Sequence, residues 1–79
     1  MKLPRDIDAS DLIKALHKFG YEPTRQTGSH IRLTTQQNGQ HHLTIPNHEP
    51  LKIGTLNAIL TEVAQHSGIS KQEVVQRLF

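Results

Sequence analysis

Asn38-Gly39 lies between two runs whose apolar residues alternate with polar ones. Before it, Ile31 and Leu33 alternate with Arg32 and Thr34. After it, Leu43 and Ile45 alternate with His42 and Thr44. Asn and Gly both tolerate the positive φ that a tight hairpin needs, so the pattern predicts two antiparallel strands over 30–36 and 41–46. The register follows from the faces. A two-residue loop pairs Gln37 with Gln40 and Leu33 with Thr44, which puts the two apolar sets on opposite faces. A three-residue loop with Gly39 as a left-handed bulge pairs Gln36 with Gln40, Leu33 with Leu43 and Ile31 with Ile45. Only the second makes one apolar face, and it is the expected one. His30, Arg32, Thr34, His42 and Thr44 then share the other face.

A further strand is expected over 21–27, with Pro23 marking a sheet edge. It joins its neighbour through a turn at Gly28-Ser29, with Gly in the first central position. Thr27 then faces His30, and Arg25 faces Arg32. Opposed arginines repel by a few tenths of a kcal/mol. A bound anion relieves this, and so does splaying into water. Leu12, Ile13, Leu16 and Phe19 fall on one face of a helix over 10–19, capped by Asp8 or Ser10 and stopped by Gly20. Leu56, Ile59, Leu60 and Val63 line a second helix over 52–66, ended by Gly68. Ser70-x-x-Glu73 reads as a capping box for a third over 71–78, burying Val74, Val75 and Leu78. The order is helix, three antiparallel strands, helix, helix. This is an α+β fold, one domain over 1–79, with helices on one sheet face and the polar face open.

A chain of 79 residues encloses no deep pocket, so a substrate is expected across a surface or at a subunit boundary. There is no Cys, which removes disulfides and thiolate metal ligands and fits a cytoplasmic protein. No apolar run approaches a membrane span, and Met1-Lys2-Leu3-Pro4-Arg5-Asp6 lacks the apolar core of a signal peptide. Net charge is only +2, but no Asp or Glu occurs from Pro23 to His48, a window holding Arg25, Arg32, His30, His41, His42 and His48. Such a segment suits an anion-binding face. The plainer reading is a solvated sheet face that happens to lack acids. Gly28-Ser29-His30 lies inside it. Gly admits close backbone approach, Ser offers a hydroxyl, and His moves protons near neutral pH.

The chain resembles the HicA-type toxins, the YcfA-like mRNA interferases. The resemblance lies in Asp11-Leu12-Ile13-Lys14-Ala15-Leu16 with Gly20-Tyr21, in Arg25-Gln26-Thr27-Gly28-Ser29-His30, and in Ile45-Pro46-Asn47-His48 followed by Leu51-Lys52-Ile53-Gly54-Thr55-Leu56 and Ile59-Leu60. It covers about residues 10–69, and residues after Ser70 read as an extension. It implies an α-β-β-β-α unit similar to the double-stranded-RNA-binding domain, ribonuclease activity on mRNA with His30 catalytic, and a HicB-type antitoxin that masks the site in a hetero-oligomer.

On that reading RNA supplies its 2′-hydroxyl as nucleophile. His30 is the base. Arg25, Arg32 and Lys52 contact phosphate, helped by the backbone amides of Gly28 and Ser29, with Thr55 beside them. His42 or His48 is the acid for the leaving oxygen. No metal or cofactor is expected: adjacent His41 and His42 point opposite ways on a strand, and no helix carries His-x-x-x-His. As plain structure, His30 is a strand histidine, Lys52 a solvated helix-start residue, Thr55 a helix cap, and His48 a loop residue. His17 and His66 read as surface without partners. One rival is a non-catalytic RNA-binding module, although Phe19, Tyr21 and Phe79 offer few stacking rings. The other is a DNA-binding helix-turn-helix over 63–74, with Lys71, Gln72 and Gln76 toward a groove.

Overall fold

The apolar stripe before Gly20 forms α1 (Ala9–Leu16), in a computed structural model that describes residues 6–79. The segment 1–5 of the N-terminal reading lies outside the described residues. Asp8 is the cap, and its N–H donates to Asp11 Oδ2 at 3.3 Å. The helix was expected as far as Phe19. Its last turn instead tightens into a 3-10 turn, His17–Phe19, closed by Gly20 at φ 80°. Only a residue tolerant of the left-handed region ends a helix this way at little cost.

β1 (Glu22–Thr27), β2 (His30–Thr35) and β3 (His41–Pro46) make one antiparallel sheet in the order β1-β2-β3. Leu33 pairs with Leu43 and Ile31 with Ile45, the register that collects the apolar side chains on one face. The loop itself differs in detail. Asn38 (φ 60°) and Gly39 (φ 93°) are both left-handed, where only Gly39 was expected to be. Asn38 is held by its amide, which donates to the His66 carbonyl at 3.2 Å. At the other turn Gly28 has φ 56°, Thr27 pairs with His30 and Arg25 with Arg32. Beyond Arg25 the register shifts. Thr24 is an extra residue, a bulge that leaves Pro23 opposite Leu33 and Glu22 opposite Thr34.

α2 (Ile53–Ser67) and α3 (Lys71–Leu78) join α1 on one sheet face. Leu33, Leu43 and Ile45 of the sheet are buried in one cluster with Leu12 and Leu16 of α1, Leu56, Leu60 and Val63 of α2, and Val74 and Leu78 of α3. Buried Thr35 is satisfied: it donates to the Phe19 carbonyl at 2.9 Å and accepts the Gln37 N–H at 3.1 Å. β1 buries none of its residues. Its edge is blunted by Pro23, the bulge and Arg25. Lys52, not Thr55, caps α2. The capping box of α3 is half made. Ser70 Oγ accepts the Glu73 N–H at 3.1 Å, but the Glu73 carboxylate turns to Arg77 at 2.7 Å. No helix among the described residues is long and apolar enough to cross a membrane.

Leu33→Ala removes a fully buried side chain and is expected to destabilise by about 2–5 kcal/mol. Gln26→Ala, on exposed β1, is expected to change stability by less than about 0.5 kcal/mol. Urea unfolding of the two variants checks both.

Candidate nucleic-acid interface

The register that buries Leu33 and Ile45 turns the alternate residues of each strand outward. Arg25, Thr27, His30, Arg32, His42 and Thr44 therefore line one shallow depression of about 310 Å³ on the open sheet face. All six residues are exposed. No carboxylate lines it. Arg25 and Arg32 are register partners, and among the described residues neither is ion-paired to a carboxylate. Two unneutralised guanidiniums side by side favour an anion between them. The Gly28-Ser29 turn joins Thr27 to His30 at one end of this surface. At the other end, Thr34 Oγ1 lies 2.8 Å from His42 Nδ1 and 2.9 Å from Thr24 Oγ1.

The loop after β3 carries the remaining candidates. It is stitched down by backbone bonds: the Asn47 N–H to the Ser29 carbonyl at 2.6 Å, the Ala9 N–H to the His48 carbonyl at 3.3 Å, and the Leu51 N–H to the Ile7 carbonyl at 2.8 Å. His48 and Lys52 are exposed and Thr55 half-buried. None of the three lines the depression. The structure thus gathers Arg25, His30, Arg32 and His42, leaves Gly28 and Ser29 in the adjoining turn outside the lining, and sets His48, Lys52 and Thr55 apart from them.

A second histidine group lies on the helix-covered side, and sequence reading missed it. His41 and His66 stack with ring centroids 4.5 Å apart. The Tyr21 hydroxyl is 2.8 Å from His41 Nδ1. His66, read from sequence as a partnerless surface residue, is half-buried, and its Nε2 donates to the carbonyls of Gln37 (2.8 Å) and Gly39 (3.0 Å). The signal was the periodicity. His41 alternates in phase with Leu43 and Ile45, and His66 follows Val63 by three residues. Burial, with Glu62 adding to it, pushes the Tyr21 hydroxyl up to about 12. Burial also holds His41 below its ordinary value of 6.5, with His66 acting the same way and Glu62 opposing. Among the described residues no three His, Cys, Asp or Glu are grouped to hold a metal ion.

A family model described as the HicA toxin of bacterial toxin-antitoxin matches residues 9–66. That span runs from the first residue of α1 through the sheet and almost to the end of α2, leaving α3 outside. No curated protein and no solved structure matches the chain.

The depressed His41 fixes the sign of a pH effect. The unfolded chain takes up this proton before the native state does, so stability is full above pH 6.5 and falls as pH drops through 6.5 toward the lower native value. The melting temperature is expected to decline between about pH 7.5 and about pH 5.5. In His41→Gln, part of that decline should vanish.

Proposed function

This chain belongs to the HicA toxin family of bacterial toxin-antitoxin systems, and from that premise we propose that it is an endoribonuclease that cleaves mRNA with His30 as its catalytic base. The observation that carries this reading is the position of His30. Its exposed ring shares a carboxylate-free depression with the Arg25–Arg32 pair.

The chemistry needs little more. A ring nitrogen of neutral His30 takes the proton of the ribose 2′-hydroxyl. The 2′-oxygen attacks phosphorus as the P–O5′ bond breaks. The products are a 2′,3′-cyclic phosphate and a 5′-hydroxyl. Arg25 and Arg32 bind the phosphate oxygens and stabilise the charge that builds on them. On this reading the backbone amides of Gly28 and Ser29, in the turn beside His30, assist at the same group. The departing 5′-oxygen takes its proton from water, because the depression is open, and His30 returns its proton to water afterwards. His48, Lys52 and Thr55 stand outside this scheme. Lys52 remains an exposed cation for a more distant phosphate.

An open, cationic sheet face is also the natural target of a masking partner, which on this reading is a HicB-type antitoxin covering His30 in a hetero-oligomer. A binding module without catalysis would use the same face. DNA reading through α3 has less to support it. Its groove-facing candidates are Lys71, Gln72 and Gln76, whereas the acid-free segment with its two arginines lies on the sheet.

Purified protein is expected to cleave RNA in EDTA and to leave cyclic phosphate ends, whereas His30→Ala binds RNA without cleaving it. Retained cleavage by that variant would remove His30 as the base. Arg25→Ala is expected to weaken binding and to lower the slope of log K against log salt by about 0.7, the value for one phosphate contact on a single strand. Fluorescence anisotropy across a salt series reads it.

A further inference from the structure

Where the end of the sheet meets the helical turn closed by Gly20 lies a second depression, of about 480 Å³, lined by Gly20, Glu22, Thr24, Thr34, Gln36 and Gln37. Its chemistry is unlike that of the first. It has no Lys or Arg, and its one charged side chain is the Glu22 carboxylate. Among the described residues no Lys or Arg pairs with Glu22, whose one close basic neighbour is the exposed His17 ring at 3.9 Å. Such a surface repels phosphate. Amides, hydroxyls and a carboxylate are instead the donors and acceptors that match the edges of nucleobases, and a carboxylate accepts from an exocyclic amine.

The two depressions meet at one hydrogen bond. Thr34 lines the second, His42 lines the first, and Thr34 Oγ1 lies 2.8 Å from His42 Nδ1. Thr24 at the bulge braces Thr34 at 2.9 Å. His42 is thus an exposed ring tied to Thr34 at Nδ1. It is tied across the sheet toward Thr34, not along it toward His30. His30 and Thr34 lie four positions apart on β2, about 13 Å at the rise of a strand. His42 shares the first depression with His30 and borders the second through Thr34, so a nucleotide next to the one at His30 would lie against its ring.

We infer that the second depression is a nucleobase subsite for the RNA whose phosphate lies at His30, taking a base with an exocyclic amine, with the His42 ring, just across the boundary in the first depression, as the stacking platform and Glu22 accepting from the amine. The inference rests on the nuclease reading for the identity of that strand. Histidine is among the rings on which unstacked RNA bases lie. Thr24 and Thr34 act through His42 as positioning residues.

The test is binding by the non-cleaving His30→Ala protein, followed by fluorescence anisotropy with short labelled oligo(A), oligo(C) and oligo(U). Oligo(A) and oligo(C) are expected to bind more tightly than oligo(U), which carries no exocyclic amine. Adding Glu22→Ala should abolish that preference by weakening oligo(A) and oligo(C). Removing an acid ordinarily tightens RNA binding, so general electrostatics would move the result the other way. Adding His42→Ala should weaken all three by roughly tenfold, and His42→Phe should restore most of the loss. Equal binding of the three oligomers by the parent, or affinities unchanged by both His42→Ala and Glu22→Ala, overturns the subsite. An abasic nucleotide placed along oligo(A) asks the same question without a second variant: a loss confined to one position supports the subsite, and equal losses at every position overturn it. Cleavage of the oligomers by His30→Ala would strike the catalytic assignment instead, and the base preference would still be read from binding.

Discussion

Everything on the open face depends on the pairing of Leu33 with Leu43. The alternation of a strand has a period of two, so a slip of one residue would carry Leu43 and Ile45 into water and bring His42 and Thr44 under the helices. Burying those two polar side chains without partners, and exposing two that the core needs, is a penalty of several kcal/mol. The same contact that holds the core therefore holds His42 beside Thr34 and keeps Arg32 on the open face, where the separate β1–β2 ladder sets it beside Arg25. Core and site are two faces of one register.

The two faces use their histidines in opposite ways. On the helix side, His41 and His66 are drawn out of water and stacked, and burial favours the neutral His41 ring. They act as structural polar groups, and their partners are Tyr21 and the carbonyls of the β2–β3 loop. On the open side, His30 and His42 stay exposed among cations and hydroxyls. Nothing in residue type separates the two pairs. The side of the sheet to which each points does, and it is decided by whether a position falls in phase with Leu33 and Leu43.

That is also why much of the arrangement was legible in the sequence. Strand faces, the β2–β3 register, the Gly28 turn and the helical stripes are all properties of near neighbours, and periodicity reports them directly. The companionship of Arg25, His30, Arg32 and His42 followed from register alone. The features that escaped depend on contacts between distant segments. At the bulge, Thr24 meets Thr34 across the sheet, ten residues further along the chain. The role of His66 exists because the hairpin loop arrives beneath the end of α2. The exclusion of His48, Lys52 and Thr55 from the depression depends on the path of the loop after β3, which is set by its bonds to Ser29, Ala9 and Ile7. No local pattern announces any of these.

β1 has a consequence of its own. It carries Arg25, yet all six of its own residues are exposed and it is tied to the rest of the molecule chiefly by its ladder to β2. Segments anchored so lightly open at a small fraction of the free energy of global unfolding. Fraying of this outer strand would part Arg25 from Arg32 while the helices and the β2–β3 hairpin stay folded. Warmed gently, the molecule should lose the Arg25–Arg32 pairing well before its core melts.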